Sequence, residues 1–256
     1  MWPELHVALP GGAHAIVSTH ALCVVVAVIV GIALAQRWSD EPRVARLTAA
    51  VVAVFALVGA HALFVVQRGG ASGGSSVEPW NGGLASMGGI AMALGAVRLA
   101  ACVARRPPAA LFDAIVPAGL VALGIGRFGC FLAGCCFGLS TSLPWGVVLA
   151  RLGPPARHPL QLYSAGLDLL IAWLAVRRRR PPGETACTAL VGFAAARIWL
   201  ELLRDPAATN PLPGGLTVAQ VACAGLLLGC TILYMSTRWR IRALRPVASR
   251  LNLPRG

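Results

Sequence analysis

The sequence predicts an all-α, polytopic membrane protein of about seven transmembrane helices, on three observations. Of its 256 residues, 57% are hydrophobic and only 12% charged, with a mean hydropathy of +0.73. An ordinary soluble domain carries about twice that charge fraction, and a disordered chain needs low hydrophobicity and high charge. Apolar stretches of about 20 residues recur with almost no charge inside them, the length that crosses a hydrocarbon core of about 30 Å as helix. The 22 basic residues are all arginine and collect mostly in short clusters between these stretches. This distribution excludes nucleic acid as the partner behind the net charge of +13, because it is the pattern of cytoplasmic loops and not of a groove-binding face.

The spans are justified in chain order. The first, Ala15 to Gln36, follows an N-terminal stretch that contains Pro3 and Glu4 but no basic residue, so it reads as a retained anchor rather than a cleaved signal peptide. The second, Leu47 to Gln67, carries His61 as a lone histidine, best read as satisfied within the packing. A Gly/Ser-rich external loop, QRGGASGGSSVEP, then leads to the third, Gly82 to Ala104, which Arg98 interrupts. The fourth, Leu111 to Phe137, contains Asp113 and Arg127. The fifth runs from Leu160 to Val176 with Asp168 inside it, the sixth from Thr185 to Leu203 with Arg197 and Glu201, and the seventh from Leu216 to Met235. No internal repeat is evident. The chain therefore reads as one integral membrane domain over 1–256, a helical bundle over 15–236 followed by a basic tail over 237–256.

Arginine counts in alternate loops orient these spans. One set of loops, with the C-terminal tail, holds sixteen arginines, and the other set holds Arg68, Arg151, Arg157 and Arg204. The excess of positive charge marks the cytoplasmic side, which places the N-terminus outside and the C-terminus in the cytoplasm. An odd number of spans requires the same parity.

With that orientation, a rise of about 1.5 Å per residue gives the depth of each polar side chain. Arg127 lies about 24 Å from the cytoplasmic face, Arg197 about 18 Å and Glu201 about 24 Å, while His20 sits about 7 Å below the outer surface. His158 stands at the upper edge of this layer. Residues from four spans thus share one depth facing the outer leaflet. Ionisable groups in a membrane are costly and face a bundle interior, pair with one another or mark a substrate path. Arg197 and Glu201, at i and i+4, suit mutual neutralisation on one helix face. Arg127 lies in GIGRFGCFLAGCCFG, whose glycines sacrifice helix propensity and let backbone approach closely around a guanidinium. Its planar fork suits a phosphate head group. Asp168 is a candidate partner for one of the arginines.

Eight cysteines invite a disulfide or metal reading, since Cys130, Cys135 and Cys136 fall close together. Zinc ligands usually come as pairs two to four residues apart with a second pair or histidines, and here the flanks are apolar. Packing is the preferred reading, with no metal site and no cofactor expected. One extracytoplasmic disulfide stays open.

Three motifs in order resemble the bacterial prolipoprotein diacylglyceryl transferases. GRFGCFLAGCCFG is similar to the family's glycine-rich signature, matched by Arg127, Gly129, Phe131, Gly134 and Gly138. Arg157-His158-Pro159-Leu160-Gln161-Leu162-Tyr163 resembles its HPxQLY element, and the stretch from Arg197 to Arg204 resembles its RxxxExxR element. The resemblance implies a multi-pass protein of the bacterial inner (plasma) membrane. Its reaction would pass the diacylglyceryl group of phosphatidylglycerol to the lipobox cysteine thiol of a preprolipoprotein signal peptide, forming a thioether. It implies that Arg127 holds the phosphate, that Arg197 assists it or stabilises the leaving group, and that Glu201 orients Arg197. Gly129, Gly134, Gly138, Tyr163 and Arg204 would belong to the substrate-binding set. This sequence departs from the family at chemically important positions: Met87 stands where a histidine is expected, Cys130 and Cys135 replace an Asn and a Glu, His20 occupies a tyrosine position, and Phe193 occupies another. Met87 cannot accept a proton, so His20, His158 and Glu201 become the candidate bases for a thiol whose ordinary pKa is near 8.5; Glu201, paired with Arg197, is the weaker, and His20 is preferred to His158 because it lies inside its span at the depth of Arg127. Two alternatives stand beside the transferase: an inactive or re-purposed anionic-lipid-binding protein of the same fold, and a membrane thiol redox or metal protein built on the three clustered cysteines.

Overall fold

The computed structural model describes residues 4–8, 14–69, 84–150, 152–177, 181–206, 212 and 214–232. Among these residues seven helices form a bundle: α1 (Thr19–Trp38), α2 (Pro42–Gly69), α3 (Ser86–Val103), α4 (Pro108–Ala133), α5 (Leu160–Val176), α6 (Glu184–Leu202) and α7 (Val218–Ile232). Five of them, α1 to α4 and α6, are long and apolar enough to cross a membrane, while α5 and α7 are apolar but shorter. Two short antiparallel ribbons supplement the expected helices: β1 (Glu4–Ala8) pairs with β2 (His14–Ser18), and β3 (Val147–Leu149) with β4 (Gly153–Arg157).

The span boundaries move where the backbone finds another partner. Residues 15–18, expected to begin the first span, lie in β2, whose partner strand supplies the hydrogen bonds that a helix would have made internally. Ser18 then caps α1 by accepting from the Ala21 N–H, satisfying one of the orphan donors of the first turn. The fourth span ends at Ala133 rather than Phe137, because Gly134 takes a left-handed φ of 71° and its N–H turns back to the carbonyls of Cys130 and Phe131. The Gly/Ser-rich loop from Gly70, Gly82, Arg151, the run Arg178 to Arg180 and the chain after Ile232, including the arginine tail, lie outside the described residues.

Helix packing follows membrane rules. The outward faces of α1 and α2 are apolar, with Val25, Ile29, Leu47, Val54 and Val58 exposed, an arrangement suited to contact with lipid and not with water. The buried contacts are made largely by small residues, among them Ala27, Ala35, Ala60, Ala96, Ala118, Ala172 and Ala189, which let helix backbones approach closely. A Cβ on Gly89 of α3 would lie 2.9 Å from the Ala56 carbonyl of α2, so that crossing needs glycine. The central helix is α4, which packs against α1, α5 and α6. Near its start, Asp113 accepts from the N–H groups of Gly183 at 2.6 Å and Ala186 at 2.8 Å and so caps α6. A carboxylate inside an apolar span is thereby spent on the free donors of a neighbouring helix.

Candidate functional site

The far end of α4 carries the site. After Gly134 the chain turns through Cys136, a non-glycine residue at φ 60°, and then runs between two other segments. Gly138 donates its N–H to the His158 carbonyl at 3.1 Å, and His158 donates to the Leu139 carbonyl at 3.0 Å. On the other side Leu139 donates to the Leu203 carbonyl at 2.9 Å, and Gly138 bridges to Arg204. Main-chain bonds thus join the ends of α4 and α6 to the start of α5, bringing together the three motifs that are distant in sequence. Glycine at 138 is dictated by this close approach: a Cβ there would lie 2.8 Å from His158 Cβ and 2.9 Å from the Leu203 carbonyl oxygen.

Charged side chains occupy the same end. Arg197 Nη2 lies 2.9 Å from Glu201 Oε2, and Arg204 Nη1 lies 3.4 Å from that same oxygen, with all three side chains at least nine-tenths buried. Asp168 of α5 is buried within electrostatic range of both Arg127 and Arg197. Arg127 is only 9% exposed, yet among the described residues it forms no ion pair within 4 Å. Three arginines therefore face two carboxylates, leaving a local excess of one positive charge that an anion would neutralise. To one side, Arg157 pairs with Asp205 and lies 5.0 Å over the Phe137 ring.

From Arg127 an apolar cavity of about 280 Å³ runs along the bundle between α1, α2, α3 and α4. Its lining reaches on α1 from His20 to Ala35, fifteen residues apart and thus about 22 Å along the axis. Polar side chains are confined to the first end, where His20, Ser86, Arg127 and Cys130 meet the cavity, and the rest is alanine, valine, leucine, isoleucine and glycine with Phe193. Gly119 and Gly126 line it with open space where a Cβ would stand, so the glycines of α4 make room as well as contacts. A cationic head over a long apolar slot is complementary to an anionic phospholipid.

The residues singled out from sequence separate into two groups. His20, at the start of α1, lines the cavity with Arg127, and a Cβ on Gly129 would lie 3.2 Å from the His20 ring and 2.9 Å from Cys23 Cβ, so Gly129 fits α4 against α1. His158 and Tyr163 are outside the cavity lining: the Tyr163 hydroxyl accepts from Trp145 Nε1 at 2.8 Å and lies 3.3 Å from His158 Nδ1. They brace the loop that carries Gly138. Gly134 serves as the helix C-terminal glycine. Met87 and Phe193, at the expected histidine and tyrosine positions, are buried in one apolar cluster with Val116 and Leu120.

Other residues of the site were not selected from the sequence. Gln161 is fully buried and its Nε2 donates to the Cys135 carbonyl, while its Oε1 has no hydrogen-bond partner among the described residues. Its position inside the HPLQLY stretch was the available signal. The Trp145 anchor and the Arg157–Asp205 pair depend on loop geometry that no periodicity announces.

A family description, prolipoprotein diacylglyceryl transferase, matches residues 8–236. The chain belongs to that family. Among similar proteins, the phosphatidylglycerol–prolipoprotein diacylglyceryl transferase of Rhizobium meliloti (strain 1021) is 37% identical over 141 residues, covering 51% of this chain and 49% of the relative. That of Geobacter sulfurreducens (strain ATCC 51573 / DSM 12127 / PCA) is 34% identical over 171 residues, covering 63% and 65%. That of Bordetella avium (strain 197N) is 32% identical over 170 residues, covering 63% of each. The chain thus spans about half to two thirds of the length of these curated relatives.

Proposed function

We propose that the protein is a phosphatidylglycerol–prolipoprotein diacylglyceryl transferase of the bacterial inner membrane, spanning it seven times with the N-terminus outside and the C-terminus in the cytoplasm. The observation that carries this reading is the buried Arg127, unpaired among the described residues, at the polar end of a 22 Å apolar slot. Arg127 binds the lipid phosphate, and the acyl chains lie in the slot. Arg197 and Arg204, held by Glu201, supply positive potential for the negative charge that gathers on the departing glycerol phosphate. Gly129, Gly134 and Gly138 set the backbone around that anion, and Tyr163 fixes the loop.

The acceptor is the lipobox cysteine of a preprolipoprotein signal peptide. Its thiolate attacks the glyceryl carbon, a carbon–sulfur bond forms, the carbon–oxygen bond to phosphate breaks, and glycerol phosphate leaves with the electron pair. The thiol proton goes to His20, which shares the cavity with Arg127, while His158 positions the Gly138 loop. His20→Ala lowers turnover by about 100-fold, the ordinary contribution of a general base, and leaves phosphatidylglycerol affinity within a few-fold. Met87→His is neutral or raises activity. The test is transfer of labelled diacylglycerol from phosphatidylglycerol to a lipobox peptide by the purified protein, together with rescue of a transferase-depleted bacterium. Product and rescue support the reading, and lipid binding without either contradicts it. The apolar pairing of Met87 with Phe193 favours a second reading, an anionic-lipid-binding relative without turnover, for which binding without product is the expected result.

A further inference from the structure

One group at the site has no part in this chemistry. Cys130, at the end of α4, and Cys135 and Cys136, in the turn that follows, bring their three Sγ atoms within 4.8 Å of one another. Packing does not account for the arrangement. Cysteines that serve as small hydrophobes are buried, whereas Cys135 is exposed and Cys136 adopts a left-handed φ of 60° that favours glycine or asparagine. Without the left-handed turn at Gly134 and Cys136, the extended chain would carry the later thiols away from Cys130.

We propose that Cys130, Cys135 and Cys136 form a three-thiolate site for a thiophilic divalent cation of the zinc and cadmium class, built beside Arg127 at the polar end of the cavity. The geometry is close to what such an ion needs. Bonds of about 2.3 Å to sulfur in a tetrahedral or trigonal arrangement hold the sulfurs about 3.8 to 4.0 Å apart, so closure needs shifts of less than about 1 Å. Two of the three side chains sit in a loop and can supply them by rotation. The field is also favourable. Thiolates are the ligand form, and neighbouring arginines stabilise them. Cys130 lies within electrostatic range of Arg127 and Arg204. Cys135 gives access from solvent. This site requires neither lipid nor acceptor, so it stands apart from the transfer reaction.

The test uses the full chain purified in detergent, reduced, and exchanged into metal-free buffer without reductant. Titration with Cd²⁺ alone binds one equivalent, develops thiolate-to-cadmium charge-transfer absorption, and removes three of the eight cysteines from the reactive-thiol titre. Zn²⁺ displaces the signal. Cys130→Ser and Cys136→Ser lose it with unchanged helical circular dichroism, as does Cys135→Ser, whose exposed position leaves packing least disturbed, and Cys187→Ser keeps it. The proposal is overturned if the wild-type chain shows no stoichiometric absorption, or if the absorption survives in the Cys130→Ser and Cys136→Ser variants. It is equally overturned if the thiols are isolated as a disulfide and, once reduced, bind no cadmium.

Discussion

Helix α4 carries one acidic residue near its start and one basic residue near its end, and their surroundings are opposite. Asp113 is matched to two backbone donors at the start of α6, so its charge is consumed by the fold. Arg127 is buried, forms no ion pair within 4 Å among the described residues, and faces a cavity. In a membrane protein the presence of a charge in a span says little by itself, since both residues interrupt the same apolar run. What separates a structural charge from a ligand-binding one is whether the protein itself supplies the counter-group. Paired charges should report on stability when removed, and open ones on binding.

The largest effect on stability belongs to the ion cluster. Glu201 holds both Arg197 and Arg204, and Glu201→Ala leaves two buried cations without their shared carboxylate. Unfolding in detergent should show a loss of about 3 to 5 kcal/mol, the cost of breaking a buried pair. A smaller loss would place Glu201 among the open charges and weaken the distinction.

Gly138→Ala comes next. Its methyl group meets the Leu203 carbonyl and His158 Cβ, both held in the backbone seam, so the seam must part. A loss of about 1 to 3 kcal/mol, typical of overpacking, should appear as a lower thermal midpoint together with weaker lipid binding. An unchanged midpoint would show that the seam is softer than its hydrogen bonds indicate.

Asp113→Ala is the mildest of the three. Removing a helix cap costs about 0.5 to 2 kcal/mol, and the proposed lipid site lies at the opposite end of α4. The expected outcome is a modest fall in stability with phosphatidylglycerol affinity unchanged. Altered affinity would show that the two ends of α4 are coupled.

The sequence made the helical core legible because spans are announced by composition alone. The fifth apolar stretch, Leu160 to Val176, is found as a helix with those bounds, shorter than the five that can cross a membrane, and the sixth differs by one residue at each end. Errors fall where local pairing competes with the apolar signal. His14–Ser18 is apolar enough to extend a span, but β1 offers it a partner, and Gly134 ends α4 through its φ rather than through its polarity. The site was legible as a layer: Arg127, Arg197, Glu201 and His20 were placed at similar depth by counting residues. Depth also favours His20 over His158 as the base, and of the two only His20 lines the cavity, while His158 contacts Tyr163 beside the loop. Counting could not show that the three thiols converge, since two of them follow a left-handed glycine.

The central claim is that Arg127 is an open charge kept for a lipid phosphate, and one variant tests it with two readouts. Arg127→Ala, purified in detergent, is compared with the parent for phosphatidylglycerol affinity and for unfolding free energy. The account predicts affinity at least tenfold weaker with stability changed by no more than about 1 kcal/mol, since the lost guanidinium leaves space at the polar end of the cavity and no stranded partner within 4 Å. Parental affinity for phosphatidylglycerol, or a collapse in stability as large as that of Glu201→Ala, would contradict it.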